Sequence, residues 1–262
     1  MRRQLLTSVA MIIVLTLICG LAYWLALTGI GQLVFKNQAN GSFVQKNGKA
    51  VGSSLIGQAF TDSKGNPIPK YFQSRPSEAV TSSSTDNITV SEASNLGPSN
   101  PLLIGFVPGV NSVGLDGQPS KTNPFATPSD PFCVPVDTTS AAAPVTSPTP
   151  GQKYAKNSDG TYVCDPNTVP ERAIAYRAEF GLAPNAQVPV DAVTASGSGL
   201  DPDISIANAD IQAPTVAKAR NLPLAQVQQL ITANTTGRSL GVLGDPGVNV
   251  LNLNLALDRL GA

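Results

Sequence analysis

The segment Val188–Ser205, "VPVDAVTASGSGLDPDIS", sets Ser196 and Ser198 among glycines and surrounds them with Asp191, Asp201 and Asp203. Serine beside carboxylate suggests acyl transfer, and three acids within a short stretch suggest a cation site. Neither chemistry finds its other parts. A nucleophile elbow needs glycine two residues before the serine, and those positions hold Thr194 and Ser196. The chain contains no histidine, which removes the commonest general base, the Ser-His and Cys-His pairs and the usual zinc ligand. An Asp-Pro-Asp run commonly folds as an Asx-type turn. The local expectation is therefore strand, glycine turn, then Ser205 capping a helix that begins in "IANADI".

Other chemistries fail on spacing. A P-loop reads G-x-x-x-x-G-K-[ST], so that backbone N–H groups surround the phosphates. Here Gly48-Lys49 is followed by Ala50, and Phe43 stands where the first glycine belongs. No dinucleotide fingerprint or EF-hand spacing is present, so no cofactor or metal site is expected. Lys plus Arg and Asp plus Glu are 17 each, and only 13% of residues are charged. Without a basic field, nucleic acid is not an expected partner.

The elements that hold these residues begin in a bilayer. Gln4 to Phe35 carries no charge, and Leu5–Leu27 is dominated by Leu, Ile, Val and Ala, with Tyr23 and Trp24 near its far end. About 20 apolar residues span the hydrocarbon core, so a transmembrane helix is expected over 5–30, after a short cytoplasmic N-terminus at 1–4. The run exceeds a signal peptide's apolar region and lacks a small-x-small cleavage site after it. Cys19 follows bulky Leu17 and Ile18, which suits a thiol within the helix better than a lipidation site. Ala22 and Ala26 are small positions suited to packing on a neighbouring helix, or are ordinary apolar filler.

Residues 31–262 are expected to form one extracytoplasmic α+β domain. Arg2 and Arg3 favour a cytoplasmic N-terminus, although Lys36, Lys46 and Lys49 nearly balance them on the other side. Cys133 and Cys164 flank a Pro- and Ser-rich segment and read either as a disulfide or as two unrelated thiols. A bond closing such a loop contributes about 3–4 kcal/mol in the chain-entropy model and persists only in an oxidising compartment.

Within this domain, "QANGSF" reads as a turn, "GSSLIGQAF" and "KYFQSRPS" as short strands, and Thr81–Ser94 as an exposed loop. From about 102 to 168, Pro, Gly, Ser and Thr dominate, and the segment reads as a low-complexity insertion. "PERAIAYRAEFG" predicts a helix with Pro170 in its first turn and Gly181 as its stop. "APTVAKARNL" and "LPLAQVQQLITANTTG" predict two helices, with Pro214 and Pro223 in their first turns. In the second, Leu224, Val227 and Ile231 share a face with Leu230 alongside. Leu251, Leu253, Leu255 and Leu257 alternate with polar or small residues, which predicts a half-buried terminal strand, a helix being the weaker alternative.

Taken in order, "QANGS", "GSSLIGQAF", "YFQSRPS", "SNLGPSNP", "VPVDAVTASGSGLDPDIS", "VAKARNL" and "VNVLNLNLALDRL" resemble the C subunit of the Kdp potassium-transporting P-type ATPase. The resemblance spans nearly the whole chain apart from the Pro-rich insertion. It implies one N-terminal membrane helix, an extracytoplasmic domain and an accessory subunit with no catalytic residue of its own. The implied partners are a channel-like potassium-conducting subunit, a P-type subunit that hydrolyses ATP, and a small single-helix subunit. ATP and potassium would be handled by the complex. The family is described as a catalytic chaperone that raises ATP affinity, yet a domain outside the membrane cannot touch cytoplasmic ATP, so assembly with the conducting subunit is the favoured role.

By this resemblance Ser94, Asn95, Pro98, Asn100, Asp191, Thr194, Ser196, Ser198, Gly199 and Asp201 are signature residues and interface candidates. Two departures stand out. Glu92-Ala93 precedes Ser94 where the family commonly has Gly-Gly, which weakens an anion-binding nest, and the insertion after Pro101 is longer than usual. Asp191, Asp201 and Asp203 could also form a negative funnel concentrating potassium at an entrance. The alternatives are an anchored cell-envelope binding module acting through the insertion, and a serine hydrolase using Ser196 or Ser198.

Overall fold

A computed structural model describes residues 2–77, 91, 100, 103, 133–136, 155–165 and 168–260. The expected loop Thr81–Ser94 apart from Ser91, the signature residues Ser94, Asn95 and Pro98, and most of the insertion lie outside the described residues. The chain divides into two compact units, Met1–Leu55 and Ile56–Ala262.

In the first unit the apolar run is helical from Arg2 to Val34, 33 residues, long and apolar enough to cross a membrane. It comprises α1 (Arg2–Leu15), a π-helical stretch Thr16–Ala22, and α2 (Tyr23–Val34), with none of its residues buried. The helix extends past the expected end at 30 because nothing before Phe35 breaks it; Phe35 leaves helical geometry with φ −124° and ψ 40°. A short helix α3 (Lys36–Ala39) leads into the expected Asn-Gly turn, where Gly41 has φ +91°. Strands β1 (Phe43–Lys46) and β2 (Lys49–Ser53) then pair antiparallel.

The second unit mixes helices and strands. Helix α4 (Val169–Glu179) starts where the Thr168 side chain accepts from the Glu171 N–H, with Pro170 in the first turn, and Gly181 follows its end at φ +63°. A single turn α5 (Val190–Val193) precedes strand β3 (Asp203–Ser205) and helix α6 (Ile206–Arg220). Helix α7 (Leu224–Ala233), strands β4 (Thr235–Thr236) and β5 (Gly247–Asn249), and helix α8 (Val250–Leu260) complete it. The three strands form an antiparallel sheet in the order β3-β5-β4, with Ile204 opposite Val248 and Thr235 opposite Val248. Phe72, Ile204, Ala213, Val216, Val227, Val248, Leu253 and Leu257 form one buried cluster between this sheet and α6, α7 and α8.

Several sequence expectations need correction. Pro214 does not start a helix; it lies inside α6, which runs unbroken from its Ser205 cap to Asn221 in the left-handed region at φ 54°. Proline there forfeits one backbone bond. The burial of Asn208, Ala209, Gln212, Ala213, Val216 and Ala217 along one face of the same helix offsets that loss. Pro223 is the residue before α7 rather than in its first turn, and Leu224 is exposed while Val227 and Ile231 are buried.

The terminal "VLNLNLALDRL" is a helix, not a strand. Val250, Leu253, Asn254 and Leu257 recur at i, i+3, i+4 and i+7 and are all buried, a helical set hidden inside the two-residue alternation. Neither "SLIGQAF" nor "KYFQSRPS" is a strand beyond the end of β2 at Ser53. Around Phe72 the backbone has no regular secondary structure, and side-chain amides from two helices take the place of a strand partner. Asn254 receives the Phe72 N–H and donates to its carbonyl, both at 2.9 Å. Gln212 receives the Gln73 N–H at 2.7 Å and donates to its carbonyl at 3.2 Å.

Inside the expected insertion, the described residues carry paired backbone. Pro135 bridges Cys164, Lys156 bridges Tyr162, and Cys133 and Cys164 are joined in a disulfide. Cys133 and Val134 are fully buried, so this part of the segment has a small interior that its composition does not announce.

Candidate functional site

Residues 188–205 include α5 and β3, lead into α6, and are held from three directions. Asp191 lies in the single turn α5 and uses both carboxylate oxygens locally. Its Oδ2 accepts from the Ser205 N–H at 2.8 Å and the Asn208 amide at 2.9 Å, and its Oδ1 accepts from the Ser205 hydroxyl at 2.8 Å. Ser205 Oγ in turn accepts from the Asn208 N–H at 3.1 Å, the cap expected at the start of α6.

The network continues into the unit's interior. Asn208 Oδ1 accepts from the Tyr176 hydroxyl at 2.7 Å and the Gln212 amide at 2.8 Å. Burial first, then the nearby Asp191 and Glu179 charges, push the Tyr176 phenol well above its ordinary range, so it stays a neutral donor.

The serines are turn residues. Ser196 Oγ accepts from the Asp201 N–H at 3.4 Å, and Ser198 Oγ accepts from the Leu200 N–H at 3.1 Å. Gly199 takes positive φ, +70°, which closes the turn. Its carbonyl accepts from the Ser77 hydroxyl at 2.7 Å, and the Ser198 carbonyl accepts from the Ser91 hydroxyl at 2.9 Å. Both hydroxyl oxygens accept from backbone amides of their own turn, and among the described residues neither serine meets a base that would activate it.

Asp201 forms the expected Asx turn, with Oδ1 receiving the Asp203 N–H at 3.1 Å. Its Oδ2 meets Arg75 Nη1 at 2.9 Å. The same guanidinium reaches the carbonyls of Thr194 and Ala195 and the Thr194 hydroxyl, each at 3.4 Å. Arg75 thus clasps both ends of the serine-glycine turn, and its positive charge opposes that of Asp201. The crevice between Gly57, Ser74, Arg75, Gly199 and Asp201 has a volume of about 10 Å³, room for no more than a water.

Asp203, on β3, accepts from the Asn249 amide at 3.1 Å. Burial raises its carboxyl above the ordinary aspartate range, the Asn249 bond lowers it, and the Asp201 charge adds a smaller rise. The folded chain therefore holds this proton to higher pH than the unfolded chain does. The resulting stabilisation is fully present below the unfolded pKa and is lost as pH rises through the folded one. Asp203→Asn should flatten this part of the stability profile between the two pKa values, measured as melting temperature against pH. An unchanged profile would contradict the assignment.

The structure gathers Asp191, Thr194, Ser196, Ser198, Gly199 and Asp201 into one braced connection. Asn100 is half-buried, and Ala22 and Ala26 are exposed along the helix of the first unit. Arg75, Gly57, Tyr176, Asn208 and Gln212 were missed by the sequence reading. Asn208 and Gln212 carry a faint signal, since an i, i+4 amide pair on the apolar face of a helix must find buried partners.

Among the described residues no group of three or more His, Cys, Asp or Glu could hold a metal ion. The hydrogen bonds among these residues fix the connection.

Comparison with known proteins gives a consistent picture. The model of one family, described as "K+-transporting ATPase, c chain", matches residues 5–157 and 146–259. The chain is similar to the "Potassium-transporting ATPase KdpC subunit" of Mycobacterium tuberculosis strain H37Rv, 40% identical over 260 residues, covering 99% of this chain and 100% of the relative. A protein of the same description from Bradyrhizobium diazoefficiens is 39% identical over 271 residues, with both chains covered completely. One from Herminiimonas arsenicoxydans is 38% identical over 259 residues, 99% of each.

Proposed function

The chain belongs to the family of the potassium-transporting ATPase c chain, and from that premise we propose that it is a non-catalytic accessory subunit of an ATP-driven, high-affinity potassium uptake complex. The observation that carries this reading is similarity along the full length of both chains, which includes the apolar helix and the braced 188–205 connection together. Its partners in this reading are the potassium-conducting subunit, the P-type subunit that hydrolyses ATP, and a small single-helix subunit. The helix anchors the chain in the bilayer, and the second unit packs on the conducting subunit and supports assembly. The engagement of Ser196, Ser198, Asp191 and Asp201 in holding their own connection favours a shape-bearing role over a hydrolytic one.

The test is to purify the tagged chain in mild detergent from potassium-starved cells. Potassium-stimulated ATPase activity should accompany it. A chain that elutes alone would overturn the reading.

The same proposal places the N-terminus in the cytoplasm and residues 31–262 outside it. Arg2 and Arg3 ahead of the helix support this, as does the disulfide, which favours an oxidising compartment. In a Cys19→Ser background, an impermeant maleimide added from outside should label Cys133 and Cys164 only after reduction. Labelling from the cytoplasmic side alone would reverse the orientation.

A further inference from the structure

Charge is divided unevenly between the two units. Met1–Leu55 carries five of the chain's Lys and Arg and no Asp or Glu, so all 17 acids lie in Ile56–Ala262. A chain of zero net charge that keeps one wholly basic unit, built around a membrane-length helix, has the charge pattern of a membrane-surface binder. Arg2 and Arg3 stand at the start of the helix, and Lys36, Lys46 and Lys49 follow it, all exposed.

The residues after the helix are folded back against its end. Asn40 donates its amide to Gln32 Oε1 at 3.0 Å, and a Cβ on Gly31 would lie 4.0 Å from that of Ala39. The hairpin is tied to the same corner. The Ser53 hydroxyl donates to the Gly41 carbonyl at 2.7 Å, and the Ser54 N–H to the Ser42 carbonyl at 3.1 Å. Its tip sets Lys46 directly opposite Lys49, a register in which like charges destabilise a strand pair and an anion lying against both would relieve them. Between α3 and α2 an open groove of about 420 Å³ is lined by Tyr23, Trp24, Leu27, Thr28, Gln32 and Ala39.

Depth in the bilayer decides what fills this groove. At 1.5 Å per residue, Leu5–Leu27 spans about 34 Å, close to the roughly 30 Å hydrocarbon core. Trp24 and Leu27 then lie at the edge of the acyl chains, Thr28 and Gln32 at headgroup level, and Lys36 one turn beyond Gln32. The groove is aromatic and apolar at its inner end, polar at its outer end and followed by lysines, the order in which a lipid presents chain, ester and phosphate.

We infer that this corner binds anionic phospholipid, with an acyl chain against Trp24 and Leu27 and its headgroup at Lys36, while Lys46 and Lys49 hold neighbouring headgroups. The inference rests on the helix crossing the bilayer and holds in either orientation of the chain.

Trp24 is the chain's one tryptophan, so its fluorescence reports on the groove directly. The full chain is reconstituted into phosphatidylcholine vesicles in which a fixed fraction of the lipid carries brominated acyl chains, as either phosphatidylglycerol or phosphatidylcholine. Brominated phosphatidylglycerol should quench Trp24 as though enriched about fivefold or more at the groove, the gain expected from one lysine near the surface. Lys36→Gln combined with Lys49→Gln, or high salt, should bring the two quenching curves together. Equal quenching of the wild-type chain by the two lipids would overturn the site, as would a preference that survives both substitutions. Absence of quenching by either lipid would overturn the membrane-spanning reading as well. Benzoylphenylalanine in place of Phe43, which is 61% exposed, should cross-link phospholipid in membranes that also contain the other subunits. Cross-linking solely to protein would assign this basic face to a partner subunit and overturn the lipid site.

Discussion

Asn254→Leu is expected to lower the stability of the chain by about 2–5 kcal/mol, although it places an apolar residue of similar size in a buried position. Asn254 is 1% exposed and lies among Val250, Leu253 and Leu257 on the inner face of α8. By composition alone leucine would suit that face. Among the described residues, however, its amide is the one partner of both the N–H and the carbonyl of Phe72, which is fully buried. The replacement removes the amide from two backbone groups that burial already keeps from water, and each such orphan costs about 1–3 kcal/mol. Thermal or denaturant unfolding of the wild-type and variant chains under identical detergent conditions measures the difference. A change below about 0.5 kcal/mol, the range of an indifferent surface substitution, would show that Phe72 is not tied to α8 in this way.

Gly57→Ala is expected to cost about 2–4 kcal/mol, from overpacking together with a strained or broken hydrogen bond. The Gly57 N–H donates to the Leu200 carbonyl at 2.8 Å, which draws the two backbones together. A Cβ on Gly57 would overlap the carbonyl oxygen of Asp201. Gly57 does not sit at positive φ, so the requirement is one of space and not of conformation. To admit a methyl group the chain must move away from Leu200 and Asp201, the turn that Arg75 clasps.

Gly197 provides the comparison. It lies in the serine-glycine motif itself and is not at positive φ, and among the described residues no atom beyond its chain neighbours comes within 4 Å of where its Cβ would lie. Gly197→Ala should therefore change stability by no more than about 0.5 kcal/mol. Equal losses from the two substitutions would contradict the close approach at Gly57.

These two cases show where sequence reading succeeds and where it stops. The first turn at Pro170, the Ser205 cap, the Asx turn at Asp201 and the glycine stop at Gly181 were all legible, because each is made by residues within a few positions of one another. The apolar span was legible for a related reason: a bilayer selects by composition, and 33 helical residues with no buried face need no tertiary partner to be recognised. The C-terminal segment was misread because Leu251, Leu253, Leu255 and Leu257 satisfy a two-residue period while Val250, Leu253, Asn254 and Leu257 satisfy a helical one. Counting apolar residues alone favours the first pattern, and recognising the second requires knowing that a polar Asn is buried.

The sequence by itself determined that this chain has no histidine-based chemistry and no phosphate-binding loop, that it begins with a membrane-length helix, and that its segments belong together as one family's pattern. Tertiary structure alone decided what the polar residues are for. Gln212 reaches Gln73 across 139 positions and Asn254 reaches Phe72 across 182, so no local window contains both partners. A buried amide and the backbone it satisfies are matched only when the helices pack, and the same packing turns the aspartates and serines of 188–205 from apparent chemistry into the braces of a connection.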